Sequence, residues 1–173
     1  MPRKFAKHAI VAATALMSQL PLGLVVYPAP AAAASFSTRQ APEALVAEVY
    51  RHLIAAQGRA DSHYSEPANI FTPRLKSLMA AARRNAHGEV PCGLDFDFWV
   101  NGQDSEIAGL SVARAPSPTP DRATVIATFR NMGTAEKIVF DFQNIGGTWL
   151  LDDVHSLAGD AKWTLSRTLR CEG

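Results

Sequence analysis

Ala123-Thr124-Val125-Ile126-Ala127-Thr128-Phe129, then Asn131-Met132-Gly133-Thr134, then Ile138-Val139-Phe140-Asp141-Phe142-Gln143, then Ile145-Gly146-Gly147 and the run from Thr148 to His155 together decide the fold. Val125, Ala127 and Phe129 alternate with Thr124, Ile126 and Thr128. Ile138, Phe140 and Phe142 alternate in the same way with Val139, Asp141 and Gln143, the period of two expected of extended chain with one buried face. Gly133 sits where a tight turn requires positive φ, and Gly146-Gly147 marks a second turn. Strands joined by turns this short are antiparallel, since parallel neighbours need a crossover of about a dozen residues or more. A less regular strand, marked by Ile107, Leu110 and Val112, precedes them across a loop set by Pro116, Pro118 and Pro120.

Upstream of the sheet the period becomes helical. Pro42-Glu43 opens a first helix, with Leu45, Val49 and Leu53 flanked by Val46, Tyr50 and Ile54 as one apolar stripe, and Gly58 as its stop. Thr72-Pro73 opens a second, with Leu75, Leu78, Met79 and Ala82 facing inward and Arg83-Arg84 at its negative end. Ala161, Leu165 and Leu169 are spaced for a short terminal helix. The expected fold is therefore α+β: two N-terminal helices packed on a curved antiparallel sheet of about four strands, with a short C-terminal helix.

Arg3, Lys4 and Lys7 followed by an apolar run from Ala9 to Tyr27 and the small residues Pro28 to Ala34 have the pattern of a secretory signal, with cleavage expected before Ser35. Residues 1–34 are then the signal, 35–41 a loose leader and 42–173 a single domain. Taking three cations from the 17 in the chain leaves 14 against 16 acids, a net charge of −2, which suits nucleic acid poorly, and no second apolar run approaches the length of a membrane span. The expected address is the periplasm or the outside of the cell. Cys92 and Cys171 are the two cysteines, and in an exported chain an even count reads most simply as one disulfide.

The candidate chemistry is sparse. Leu94-Asp95-Phe96-Asp97-Phe98-Trp99, continuing to Asp104, interleaves large apolar side chains with acids. Asp95 and Asp97 sit close enough along an extended chain to repel, and burial beside Trp99 is expected to raise a carboxyl pKa towards general acid-base use. The alternative is that both acids accept backbone N–H bonds. Asp95, Asp97, Asn101 and Asp104 do not match the EF-hand spacing, the histidines form no close pairs, and no metal or cofactor is assigned. If Trp149 and Leu151 face the core, the period of two turns Asp153 inward as an acid or ligand anchor; the opposite parity, with Leu150 and Val154 inward, leaves it outside as a cap or the partner of an Arg. His63 and Tyr64, in a polar loop, are a further candidate base and donor.

Tyr50-Arg51, Leu94-Asp95-Phe96-Asp97, Gln103-Asp104 and Trp149-Leu150-Leu151-Asp152-Asp153-Val154 resemble motifs of the family called domain of unknown function 3828, in the nuclear transport factor 2-like (cystatin-like) superfamily. Phe98 stands where the family pattern carries Pro. The resemblance spans roughly residues 41–158 and implies a cone-shaped fold, an envelope address and a ligand site, when there is one, in the concave face between sheet and helices. Tyr50, Arg51, Trp99, Asp104 and Trp149 are the ligand-binding candidates on this view. Three functions follow as expectations. The first is a non-catalytic module binding a small ligand or an envelope protein through the concave face. The second is a small lyase, isomerase or hydrolase using Asp153 or Asp97 with Tyr50, Tyr64 or His63. The third is an inhibitor or immunity-type protein that acts on a protein partner by surface contact.

Overall fold

Helix α1, Pro42–Ala56, begins with proline in its first turn and buries Leu45, Val46, Val49, Tyr50 and Leu53 as one stripe. A computed structural model describes residues 39–58, 69–90, 94–117, 119–158 and 162–171 of the chain. The expected signal, His63, Tyr64 and Cys92 lie outside the described residues. Helix α2, Pro73–Asn85, is capped by Thr72, whose hydroxyl oxygen accepts from the Leu75 N–H at 3.2 Å, and ends on Arg83 and Arg84. Four strands follow: β1 Ile107–Ala115, β2 Arg122–Asn131, β3 Thr134–Ile145 and β4 Thr148–Ser156. They form one antiparallel sheet in sequence order, so the α+β class and the meander are as the alternation indicates. The terminal helix α3 is a single turn, Leu165–Thr168, shorter than the apolar spacing from Ala161 to Leu169 suggested.

The inner face of the sheet carries Val125, Ala127 and Phe129 from β2 and Ile138, Phe140 and Phe142 from β3, all buried. Helix α1 lies over β1 and β2, while α2 and α3 pack at β4. Met132 and Gly133 both take positive φ at the β2–β3 turn, the conformation whose twist matches that of the flanking strands. The far margin of β4 is covered. Leu151 N–H donates to the Ile70 carbonyl at 2.7 Å, Thr72 N–H to the Leu151 carbonyl at 2.9 Å, and Thr164 bridges His155 further along. At Leu151 and His155 these pairings cover backbone that a bare edge would leave open.

Two irregularities decide where side chains point. In β1 the register shifts between Ala108 and Ser111, around Gly109 at φ +64, which accounts for the weak alternation of Ile107, Leu110 and Val112. In β4 Asp141 pairs with Asp153 but Phe142 pairs with Leu151, so Asp152 is an extra residue. The bulge resets the parity: Leu151 and Val154 are both fully buried, three positions apart. Neither of the two parities drawn from the sequence holds along the whole strand.

Candidate functional site

The segment from Leu94 to Asp104 runs from the helices to β1, and its backbone is fastened at four places. The Asp97 carboxylate accepts from the Trp99 N–H at 2.8 Å, and Asp97 N–H donates to the Gly102 carbonyl at 2.9 Å, closing a tight loop. Tyr50 of α1 donates its hydroxyl hydrogen to the Trp99 carbonyl at 2.6 Å. Asn101, at φ +54, donates to Glu136 of β3 at 2.9 Å and accepts from the Trp163 indole N–H at 2.7 Å. Asn131, at the end of β2, accepts from Glu106 N–H at 2.9 Å and donates to the carbonyls of Val100 and Asp104 at 3.0 and 3.1 Å. One loop is thus tied to α1, β2, β3 and the C-terminal segment by side chains that each use more than one hydrogen-bonding group or satisfy a buried carbonyl.

The space between α1 and the sheet is filled at this point. Trp99 is 0% exposed and stacks on Phe140 with ring centroids 4.9 Å apart. Tyr50, also 0% exposed, meets Phe129 at 5.2 Å and Trp99 edge-on at 6.2 Å. Tyr50 and Trp99 therefore belong to the core, which corrects the expectation that they line a ligand pocket: the bulk of four aromatic rings occupies the room such a pocket needs. Burial, with Asp97 and Glu136 adding negative potential, pushes the Tyr50 phenol well up, so it stays a neutral donor. Arg51, next along α1, is exposed on the opposite face of the helix from the core. Trp149 is half-buried at the start of β4, with the Arg114 guanidinium 5.2 Å from its ring centre.

Of the acids in this segment, Asp97 is the one whose carboxylate is committed to structure. Burial raises the Asp97 carboxyl, the Trp99 N–H bond opposing that rise, and the group's geometry is that of a turn acceptor. This joins both readings of Asp97: the pKa moves as a catalytic acid's does, while the oxygen serves the backbone. Asp95 and Asp104 are exposed, and the Asp104 backbone, rather than its carboxylate, makes the bond to Asn131. Among the described residues no group of three His, Cys, Asp or Glu side chains is placed to hold a metal ion.

Asp153 takes the structural role. Its carboxylate accepts from the Ser166 N–H at 3.0 Å, the Ser166 hydroxyl at 2.5 Å and the Val154 N–H at 3.0 Å, and Arg74 approaches to 3.6 Å. It holds the first turn of α3 against β4. The neighbouring Asp152 accepts from the Thr72 hydroxyl at 2.8 Å and from Arg74 Nε at 3.0 Å, and Arg74 Nη2 also donates to the Asp152 carbonyl. The bulged pair Asp152-Asp153 thus pins α2 and α3 to the same strand, and both oxygens of Asp153 accept hydrogen bonds there.

An arrangement not anticipated from the sequence lies next to it. His155 Nε2 is 2.7 Å from Asp141 Oδ2, Asp141 Oδ1 accepts from the Thr124 hydroxyl at 2.8 Å, and His155 Nδ1 is 3.1 Å from Thr164 Oγ1. The bond to Asp141, against a smaller opposing effect of burial, raises the imidazole pKa. At Asp141 burial acts upward, but the bonds from His155 and Thr124 together carry its pKa below the usual value. The hydroxyl, imidazole and carboxylate are in the order of a catalytic relay, and the direction of the bond between Nδ1 and the Thr164 hydroxyl follows the tautomer of the ring. Only the pairing of strands shows this contact, because Asp141 and His155 are fourteen positions apart and each looks solitary in the sequence.

Cys171 is in a disulfide, and no described cysteine is free. No helix among the described residues is long and apolar enough to cross a membrane. No family model and no curated protein matches the chain. Among solved structures it is similar to a chain of the native type VI effector–immunity complex Tae3–Tai3 from Ralstonia pickettii, at 19% identity and a TM-score of 0.45, over 70% of this chain and 98% of that one.

Proposed function

We propose that the chain is an exported, non-catalytic module that acts by surface contact with a protein partner, as an inhibitor or immunity-type protein does, and that it belongs to the cystatin-like architecture its motifs resemble. The observation that carries this reading is the Tyr50–Trp99–Phe140 packing, sealed by the 2.6 Å bond from the Tyr50 hydroxyl, which fills the concave face where a small ligand would otherwise sit. The carboxylates support it too: Asp97 serves a turn, and Asp152 and Asp153 serve helix starts. Side chains so committed are poorly suited to exchange protons with a substrate. Export to the periplasm, carried by the pattern of residues 1–34, belongs to the same proposal.

The test is capture of a partner under gentle conditions by the mature chain from the periplasm of its own host. A protein recovered in stoichiometric amount, and binding the purified chain with a saturable Kd, is the expected result. Recovery of no protein, together with saturable binding of a small molecule that shifts the Trp99 signals, contradicts the reading.

A further inference from the structure

The C-terminal segment runs beside β4, with Ser156 N–H donating to the Trp163 carbonyl at 3.1 Å and Thr164 bridging His155. Between strand and segment lies a groove of about 300 Å³ whose walls include His155, Ser156, Lys162, Trp163, Thr164 and Arg167. Its charges are unequal. Asp141 is already paired with His155, and Asp153 is occupied by Ser166 and Arg74. Lys162 and Arg167 are exposed, and among the described residues neither makes an ion pair. Two cations therefore border the groove, and among the described residues no anion is set against them.

The hydrogen-bond donors are biased in the same sense. His155 has both ring nitrogens engaged, and as an imidazolium it donates from Nδ1 to Thr164 Oγ1. A hydroxyl that accepts there has its own hydrogen to give elsewhere. The Trp163 ring, held by Phe96 at 5.0 Å and by its indole N–H bond to Asn101, supplies a fixed apolar wall. Aromatic residues and arginine, here Trp163 and Arg167, are enriched at the centres of protein interfaces, while a lysine such as Lys162 suits the polar rim.

We propose that this groove recognises carboxylates carried in series on an acidic segment of a protein partner, with Lys162 and Arg167 meeting the charges and the Thr164 hydroxyl donating to one carboxylate oxygen. It rests on the reading of the chain as a surface-binding module and names the chemistry of the partner. Charge complementarity selects the occupant: each cation offers point or fork donors to a carboxylate, and the nearby described carboxylates, Asp141 and Asp153, already have partners of their own.

Hexaglutamate is the probe, followed by the Trp163 indole signal in an NMR titration at low salt, with hexalysine and glutarate as comparisons. Saturable binding of hexaglutamate, weakened about tenfold by Lys162→Glu with Arg167→Glu as two surface charge pairs predict, and unchanged by Arg83→Glu with Arg84→Glu on α2, is the expected result. Both positions of each pair are exposed, and circular dichroism of the variants verifies that they fold. Absence of binding, or equal loss in the α2 variant, overturns the proposal. Glutarate binding as tightly as hexaglutamate overturns the peptide assignment and makes small dicarboxylates the ligand. A partner captured equally well by wild type and by the Lys162/Arg167 variant overturns the groove while leaving surface binding itself intact.

Discussion

Replacing Asn131 by alanine should cost more stability than its place at the end of a strand suggests. The side chain is 7% exposed and makes three hydrogen bonds, accepting from Glu106 N–H at 2.9 Å and donating to the Val100 and Asp104 carbonyls at 3.0 and 3.1 Å. Each bond contributes roughly 0.5 to 1.5 kcal/mol net, and a buried partner left without one costs roughly 1 to 3 kcal/mol. With the Val100 bond fully buried and the others partly so, the sum is about 3 kcal/mol. Urea unfolding followed by tryptophan fluorescence measures it, and at an m-value of about 2 kcal/mol/M the midpoint should fall by about 1.5 M. Gly102→Ala probes the same joint from the other side, since an added Cβ meets Asn131 Nδ2 at 3.1 Å and the Asp104 carbonyl at 3.3 Å. A loss below about 0.5 kcal/mol for Asn131→Ala, the size of an ordinary surface change, refutes the view that this residue fastens the loop.

Tyr50→Phe keeps the ring and removes the bond to the Trp99 carbonyl, so thermal or urea unfolding should register a loss of about 1 to 2 kcal/mol; no loss means the hydroxyl is idle. The Asp141–His155 pair gives a pH signature. A raised histidine contributes stability that is fully present below its unfolded value, about 6.5, and is lost as pH rises through its folded value. A lowered aspartate contributes above its unfolded value, about 3.9, and loses that as pH falls. The difference in stability between wild type and His155→Gln should therefore be largest between about pH 4 and 6.5 and shrink on either side, and a difference independent of pH contradicts the pairing. Mass analysis of the exported chain should find a terminus at Ser35 and no free thiol, with Cys92 joined to Cys171. A closed loop of that length is worth about 4 to 5 kcal/mol in the chain-entropy account, so reduction should lower the unfolding midpoint, and two free thiols disprove the link.

The sheet was legible because β2 and β3 obey a strict period of two and the turns between them are short, and α2 because Thr72-Pro73 is a cap followed by a residue that costs nothing there. What the alternation could not convey was the extra residue at Asp152. A bulge changes parity without changing composition, and one inserted position is enough to bring Leu151 and Val154 to the same side and send Asp153 to the start of α3. The concave face was misjudged for a related reason: Tyr50 and Trp99 look amphipathic in sequence, and only their mutual hydrogen bond shows that the polar end of Tyr50 is satisfied inside. Asn131 read as a turn residue because it precedes Met132-Gly133, while its three partners, one of them a residue whose side chain faces solvent, are distant in the chain. His155 and Asp141 were invisible for the same cause, since their contact is a product of strand register.

On the proposed function the interior is closed and binding happens on the outside. Backbone and indole NMR shifts of the labelled mature chain, recorded on addition of the small-molecule fraction and then the protein fraction of its host's periplasm, test it most directly. The expected result is that the small-molecule fraction leaves Tyr50, Trp99 and Phe140 unmoved and that the protein fraction shifts surface positions together with the half-buried Trp163 indole. Saturable shifts at Tyr50, Trp99 and Phe140 with small molecules alone would contradict it.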